Sequence, residues 1–329
     1  MESNFKPAIV LVIIATVLPE ILTGSSSLSA FFNPVILLIL FLGYGVAVLV
    51  VREIAVRYNV TFGGIFMLGF AFSLFNEGLV AKTLIRFNEL PVGQYDNYGY
   101  LLGISFPFTF AIGFWHALSS VLMPILLTYW LYPKHKNQPW LSKKMVAIFG
   151  VVLLFLASAM FLGEEGIRNT LQQNTLLQLA IFLGMMFVSF LIAKRLIQVP
   201  TTTNETPVVL TLKPVWLGMS LFFPFFLVLS FITDKKLSLV IFFIALFLIV
   251  WGYYKILKRK GWLTQNGLIL FGIGSYIQNT VMGMIAALTI PSTLVERILT
   301  GVIAILLLLW LARRVKKSNN LDNVSVSST

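Results

Sequence analysis

The sequence predicts an all-α polytopic transmembrane helix bundle of about ten spans. Three observations predict it. Hydrophobic residues make up 58% of the 329-residue chain and charged residues only 11%. The mean hydropathy is +0.91. Basic residues sit in short clusters between long apolar runs. A soluble domain is roughly 45–50% apolar and about 25% charged. One aqueous core has no room for the excess, so the bilayer has to act as solvent.

A spanning helix needs about 20 mostly apolar residues. Ten runs meet this: 7–24, 34–52, 60–81, 104–132, 144–162, 175–194, 214–233, 237–257, 266–290 and 292–313. The last two are divided only by Pro291 and a short polar stretch with Glu296 and Arg297. With both termini placed in the cytoplasm, 18 of the 24 Lys and Arg fall in inside segments. The remaining six are Lys82, Arg86, Arg168, Lys235, Lys236 and Arg297. That bias obeys the positive-inside rule, and a miscounted span would invert it partway along the chain. The expected location is a bacterial cytoplasmic membrane. The first run resembles a secretory signal, with Lys6, an apolar stretch and "SSSLSA", but Pro19 and Glu20 interrupt the approach to cleavage. It reads as an uncleaved first helix.

Residues 1–317 form one expected membrane domain, with a polar-site half (1–145) and an apolar half (146–317). Residues 318–329 read as a disordered cytoplasmic tail. The stretch 198–214 is a polar, Pro-bounded internal linker, and 82–103 is the longest outside loop. An inverted repeat of five plus five spans would suit the count, but no internal match supports one.

Composition also excludes chemistry. The net charge of +12 is spread between spans rather than gathered on one face, so no nucleic-acid partner is expected. The absence of Cys removes disulfides and thiolate ligands, and two His leave little for a His-rich metal centre. No cofactor is expected. The partners implied are the lipid bilayer and an unidentified small solute or ion.

Ionisable residues inside spans are expensive, and each is a functional hypothesis. Arg52 and Glu53 fall at the cytoplasmic end of the second run, where side chains can reach the interface, so a topology role is expected. Glu20, Asn76, Glu77 and His116 lie deeper. At about 1.5 Å per residue, Glu20 and Glu77 lie roughly 6 Å below the outer ends of their helices, and His116 lies about 12–18 Å down. These depths are offset by about 8 Å, blurred by Pro107 near the start of the fourth run. Two carboxylates and an imidazole in the outer half would make a polar pocket able to bind a cation or relay protons. Glu20, Asn76, Glu77 and His116 are the substrate- or proton-binding candidates, and Glu77 and His116 the catalytic ones. Against this stands a bland reading: snorkelling carboxylates and a His bonded to a backbone carbonyl.

Ser119 and Ser120 follow His116 by three and four residues, on a similar helix face. Hydroxyls on spanning helices usually bond their own backbone. Gln278 and Asn279 suit helix–helix contact, Pro224 a kink, and "GYG" at 43–45 and "GG" at 63–64 close packing rather than phosphate binding.

The stretches "YGVAVLVVREIAVRY", "FSLFNEGLVAKTL", "FWHALSSVLMPILLTYWLYP" and "PWL" (139–141) resemble an uncharacterised family of bacterial multi-pass proteins. The resemblance covers roughly residues 10–145 and implies a carboxylate pair in the second stretch and a His in the third; here Asn76 replaces the first carboxylate. A fainter similarity, to CAAX-processing intramembrane proteases, implies Glu77 and His116 as the working residues. The chain departs from that family in Asn76, in the residue four before His116 (Ile112 rather than Phe), and in lacking a second intramembrane His. "EEGIR" (164–168) is one residue short of that family's Glu-Glu-x-x-x-Arg and falls in an outside loop, where solvated charge is the expected reading. Three functions remain open: a small-solute or ion/proton-coupled transporter, an intramembrane protease-like hydrolase, and a non-catalytic membrane partner protein.

Overall fold

Helix dominates because apolar surroundings offer the backbone no other hydrogen-bond partner. The computed structural model describes residues 5–22, 27–84, 100–162, 175–197, 209–224, 235–288 and 294–327. Helix α1 (Phe5–Val17) is extended by a π-helical turn at Leu18–Leu22, and the short α2 is Leu28–Phe31. Helix α3 covers Pro34–Arg57 and α4 Phe62–Val80. A two-stranded antiparallel hairpin, β1 (Tyr100–Leu101) and β2 (Ile104–Ser105), precedes α5 (Phe106–Leu131). There follow α6 (Lys143–Leu162), α7 (Thr175–Arg195), α8 (Lys213–Met219), α9 (Lys235–Arg259), α10 (Gln265–Ala287) and α11 (Leu294–Ser327).

Among the described residues, eight helices are long and apolar enough to cross a membrane: α3 to α7 and α9 to α11. They correspond to eight of the ten predicted spans. The predicted first span is α1 with its π-turn. The seventh begins as α8, but the chain turns at Ser220–Phe222, before Pro224, and 225–234 lie outside the described residues. Also outside them are "EEGIR", 85–99 of the outer loop and 198–208 of the linker. Helix α11 runs on to Ser327 where the sequence suggests an unstructured tail. After Gly301 it meets no Gly or Pro, so nothing breaks its hydrogen-bond ladder.

Local signals set the starts. Asn33 Oδ1 accepts the N–H groups of Val35 (3.0 Å) and Ile36 (3.3 Å) ahead of Pro34. Thr61 Oγ1 accepts Gly64 N–H at 3.3 Å, and Thr61 N–H donates to Leu196 O at 2.7 Å, tying α4 to the end of α7. Pro107 lies in the first turn of α5, a position that suits proline, and therefore starts the helix instead of kinking it.

Packing divides the helices into a centre and a rim. In their most apolar stretches α4, α5 and α10 are 67–72% buried, whereas α6, α7, α9 and α11 are 11–22% buried. The rim exposes Val, Leu, Ile and Phe side chains, as lipid contact requires. The polar and apolar halves are not separate packing units: α10 belongs to the same core as α1, α3, α4 and α5. Tyr276 on α10 donates its hydroxyl to Ser119 O on α5. Gln278 Oε1 accepts Phe222 N–H at 3.4 Å, where the turn after α8 frees it. Gln278 therefore bonds a turn where a helix–helix contact is expected, and the buried Asn279 Nδ2 has no partner among the described residues.

Arg52 and Glu53 differ from expectation. They do not reach an interface but are completely buried. Arg52 Nη1 lies 2.6 Å from Glu53 Oε1, and Nη2 donates to His135 O (3.1 Å), Lys136 O (3.1 Å) and Gln138 O (2.8 Å). Its guanidinium stacks 3.5 Å over the Trp140 ring. Glu53 also accepts Trp140 N–H (2.8 Å) and pairs with Arg57 (3.2 Å). The loop after α5, including "PWL", folds over this end of α3. Its carbonyls replace the water that snorkelling would have sought.

Candidate functional site

Among the described residues, four π-helical turns interrupt the central helices: Leu18–Leu22, Phe41–Val46, Asn76–Val80 and His116–Leu122. They contain Glu20, Tyr44, Asn76 with Glu77, and His116 with Ser120 respectively. A π-turn adds a residue to the helical repeat, which re-aims side chains and loosens carbonyls from the ladder; such turns are frequent at functional sites. Tyr276 takes up one of these carbonyls, that of Ser119.

Glu77 and His116 meet. Glu77 Oε1 lies 2.8 Å from His116 Nε2, and His116 Nδ1 lies 2.8 Å from Ser120 Oγ. All three residues are buried. The expected offset in depth does not keep them apart, because the helices that carry them make a close contact. A Cβ on Gly69 of α4 would stand 2.8 Å from Ala117 Cα of α5, the neighbour of His116. Only glycine lets the two backbones approach that far.

The carboxylate has further donors. Asn76 Nδ2 donates to Oε1 at 3.3 Å. The chain leaves α4 through Lys82 in a left-handed conformation (φ 59°) and folds back, and the Thr83 hydroxyl donates to Glu77 Oε2. Three donors together compensate a buried carboxylate that would otherwise be strongly disfavoured. The Ser120 hydroxyl donating to Nδ1 leaves a neutral His116 with its proton on Nε2, aimed at Glu77. A protonated imidazole donates to both neighbours.

Tyr44 closes the site on the α3 side. Its ring centroid is 5.7 Å from that of His116 and 5.8 Å from that of Phe72, and Trp115 lies 4.6 Å from His116. Tyr44 is itself buried. Glu20 is buried on the π-turn Leu18–Leu22, which packs against the π-turn of His116. Among the described residues, no three His, Cys, Asp or Glu side chains gather in a way that could hold a metal ion.

Glu77 and His116 come into direct contact and Asn76 supports Glu77, while Glu20 is buried on a π-turn that packs against that of His116. Ser120 touches His116, but the buried Ser119 hydroxyl has no partner among the described residues. Tyr44 and Thr83 are site residues that sequence reasoning missed. The available signal for Tyr44 was a phenol between two glycines in an apolar helix. Gly45 packs as expected, since a Cβ there would meet Val12 Cγ1 and Thr16 Oγ1 at 2.7 Å, and that contact seats Tyr44 beside Glu20's helix.

Neither the curated proteins nor the solved structures hold a match to this chain. A family model matches residues 9–317, nearly the whole described bundle, and the chain belongs to that uncharacterized membrane protein family.

Proposed function

We propose that the protein is a proton-coupled transporter of a small solute or ion, and that the Glu77–His116 pair is its proton-binding site. The observation that carries this reading is the 2.8 Å contact between a buried carboxylate and a buried imidazole on two helices long and apolar enough to span a membrane. In low dielectric an unpaired charge is costly, so the charge either group can carry depends on the other. Gaining or losing a proton there changes the net charge of the helix core. The conformation whose surroundings best tolerate the new charge is then favoured, which is how a proton can bias an alternating structure.

With Lys- and Arg-rich segments in the cytoplasm, the pair lies in the outer half of a bacterial cytoplasmic membrane. Purified protein in proteoliposomes with an imposed pH gradient provides the test. A screen of labelled small solutes should find one whose gradient-driven uptake is at least tenfold faster than in empty vesicles and is lost in Glu77→Gln. Gradient-driven uptake of that solute at wild-type rate in Glu77→Gln would refute the reading.

A second reading, intramembrane hydrolysis, has one observation in its favour: Ser120 Oγ, His116 and Glu77 follow one another at 2.8 Å, the order of nucleophile, base and orienting carboxylate. Labelling of wild type, but not Ser120→Ala, by a fluorophosphonate would favour it over transport.

A further inference from the structure

Hydroxyls in this bundle mostly satisfy themselves. Thr16, Thr109, Thr128, Ser189, Thr280 and Thr300 each donate to the carbonyl four residues back at 2.8 Å. The buried hydroxyls of Ser73, Ser119 and Ser275 do not, and they have no partner among the described residues. Nor has the buried Nδ2 of Asn279. A buried polar group without a partner is costly, and its retention calls for a reason.

Ser119, Ser275 and Asn279 lie along one seam. Helix α10 runs antiparallel to α5: a Cβ on Gly272 would collide with Met123, and the Tyr276 hydroxyl bonds Ser119 O. Continued by three residues, that register brings Asn279 level with His116. Helix α8 packs on another side of α10, where a Cβ on Gly274 would collide with Val215 O and Gln278 Oε1 accepts Phe222 N–H at 3.4 Å. Successive residues of a helix turn by about 100°. Ser275 and Asn279 therefore fall between Gly274 and Gln278, which face α8, and Gly272 and Tyr276, which face α5. Ser119 stands on the side of α5 that meets α10. The turn that ends α8 lies opposite Gln278, about 20 Å along α10 from Gln265. Transporters place their substrates where a helix breaks at mid-membrane depth.

We infer that Ser119, Ser275 and Asn279 form the solute site of this transporter, and that it takes a small uncharged solute bearing hydroxyl or carbonyl oxygens. The inference rests on the transport reading above. Asn279 Nδ2 calls for an acceptor, and a serine hydroxyl both donates and accepts. None of the three ionises. A buried N–H donor disfavours a bare cation. Among the described residues, the buried Lys and Arg side chains that could hold an anion, Lys82 and Arg52, stand at opposite ends of the bundle. Ser119 belongs to the same π-turn as His116, so a rearrangement of that turn on proton binding reaches the solute directly.

The chain has no Cys, so a single introduced thiol reports access to the seam without background. Ser119→Cys, Ser275→Cys and Asn279→Cys in lipid nanodiscs are treated with hydroxyethyl methanethiosulfonate, itself a small uncharged alcohol, and with its sulfonatoethyl analogue, an anion of similar size. Each rate is divided by that of the reagent with a free thiol in solution. Ile273→Cys, fully buried on the same helix, and Leu306→Cys, on the exposed face of α11, are the references. The uncharged reagent should modify the three seam variants at least tenfold faster than either reference, and at least tenfold faster than the anion does. Asn279→Ala added to Ser275→Cys widens the seam but removes the N–H donor, and should slow the uncharged reagent about fivefold, the loss of one hydrogen bond. Seam rates no faster than the references would overturn the inference, and equal rates for the two reagents would overturn the uncharged class. Unchanged or faster modification after Asn279→Ala would show water access without solute binding and overturn it as well. Circular dichroism of each variant confirms that the bundle is intact. Neither uptake nor a pH gradient enters this readout, so a failure of the transport reading stays separate from a failure of the seam.

Discussion

Gly69→Ala tests whether the helix contact sets the geometry of the site. The added Cβ would stand 2.8 Å from Ala117 Cα and 3.1 Å from both Ala117 O and Val121 Cβ. Ordinary contact begins near 3.4 Å, so α4 and α5 must part by roughly 0.6 Å at this point. Passed on to Glu77 and His116, that displacement stretches a 2.8 Å contact to about 3.4 Å, past the usual N–H···O range. Overpacking costs about 1–3 kcal/mol, and about 1 kcal/mol returns from the better helix propensity of Ala. The protein should therefore fold with stability reduced by at most about 2 kcal/mol while the site is loosened. The chain has only two His, so nitrogen-15 NMR of labelled histidine can follow His116 with His135 as an internal reference. In Gly69→Ala the His116 Nε2 signal should move toward that of a weakly bonded imidazole, with His135 unchanged. Gly150→Ala is the control, because a Cβ there meets nothing within 4 Å. A His116 spectrum in Gly69→Ala that superimposes on wild type would refute the reasoning.

Other perturbations address the surrounding structure. Arg52→Lys keeps the charge but loses the planar fork that serves Glu53 and three loop carbonyls; it should destabilise the detergent-solubilised protein by about 3–5 kcal/mol, read by thermal denaturation. The same variant should speed proteolysis in the loop around Lys136, and a loop as resistant as wild type would contradict its anchoring by Arg52. Tyr276→Phe leaves the Ser119 carbonyl of the π-turn without its donor and should cost about 1–3 kcal/mol in the same denaturation assay. A Tyr276→Phe protein as stable as wild type would show that the carbonyl finds another partner.

The membrane class and the spans were legible because apolar length and Lys/Arg spacing are carried by the chain itself. Glu77 and His116 were legible because each is costly where it stands. Their meeting was not, since it depends on Gly69 admitting Ala117 and on π-turns whose extra residue leaves no mark in a helical pattern. Tyr44 was not legible because a phenol is tolerated in many apolar settings, and only its ring contacts with His116 and Phe72 reveal its place. Arg52 was misread for a related reason. Position along a helix locates it near an end, but the loop around Trp140 that buries it is more than 80 residues away. Likewise α10 looked like part of an apolar half, although its Tyr276 contact brings it to the centre.

Proton binding by the purified protein, measured potentiometrically in nanodiscs for wild type, Glu77→Gln, His116→Asn and the double variant, bears most directly on the site. If Glu77 and His116 share one proton that is exchanged near neutral pH, each single variant loses that proton in this range, and the double variant loses no more there than either alone. Additive losses in the double variant, or single variants that bind as many protons as wild type, would contradict a shared proton site.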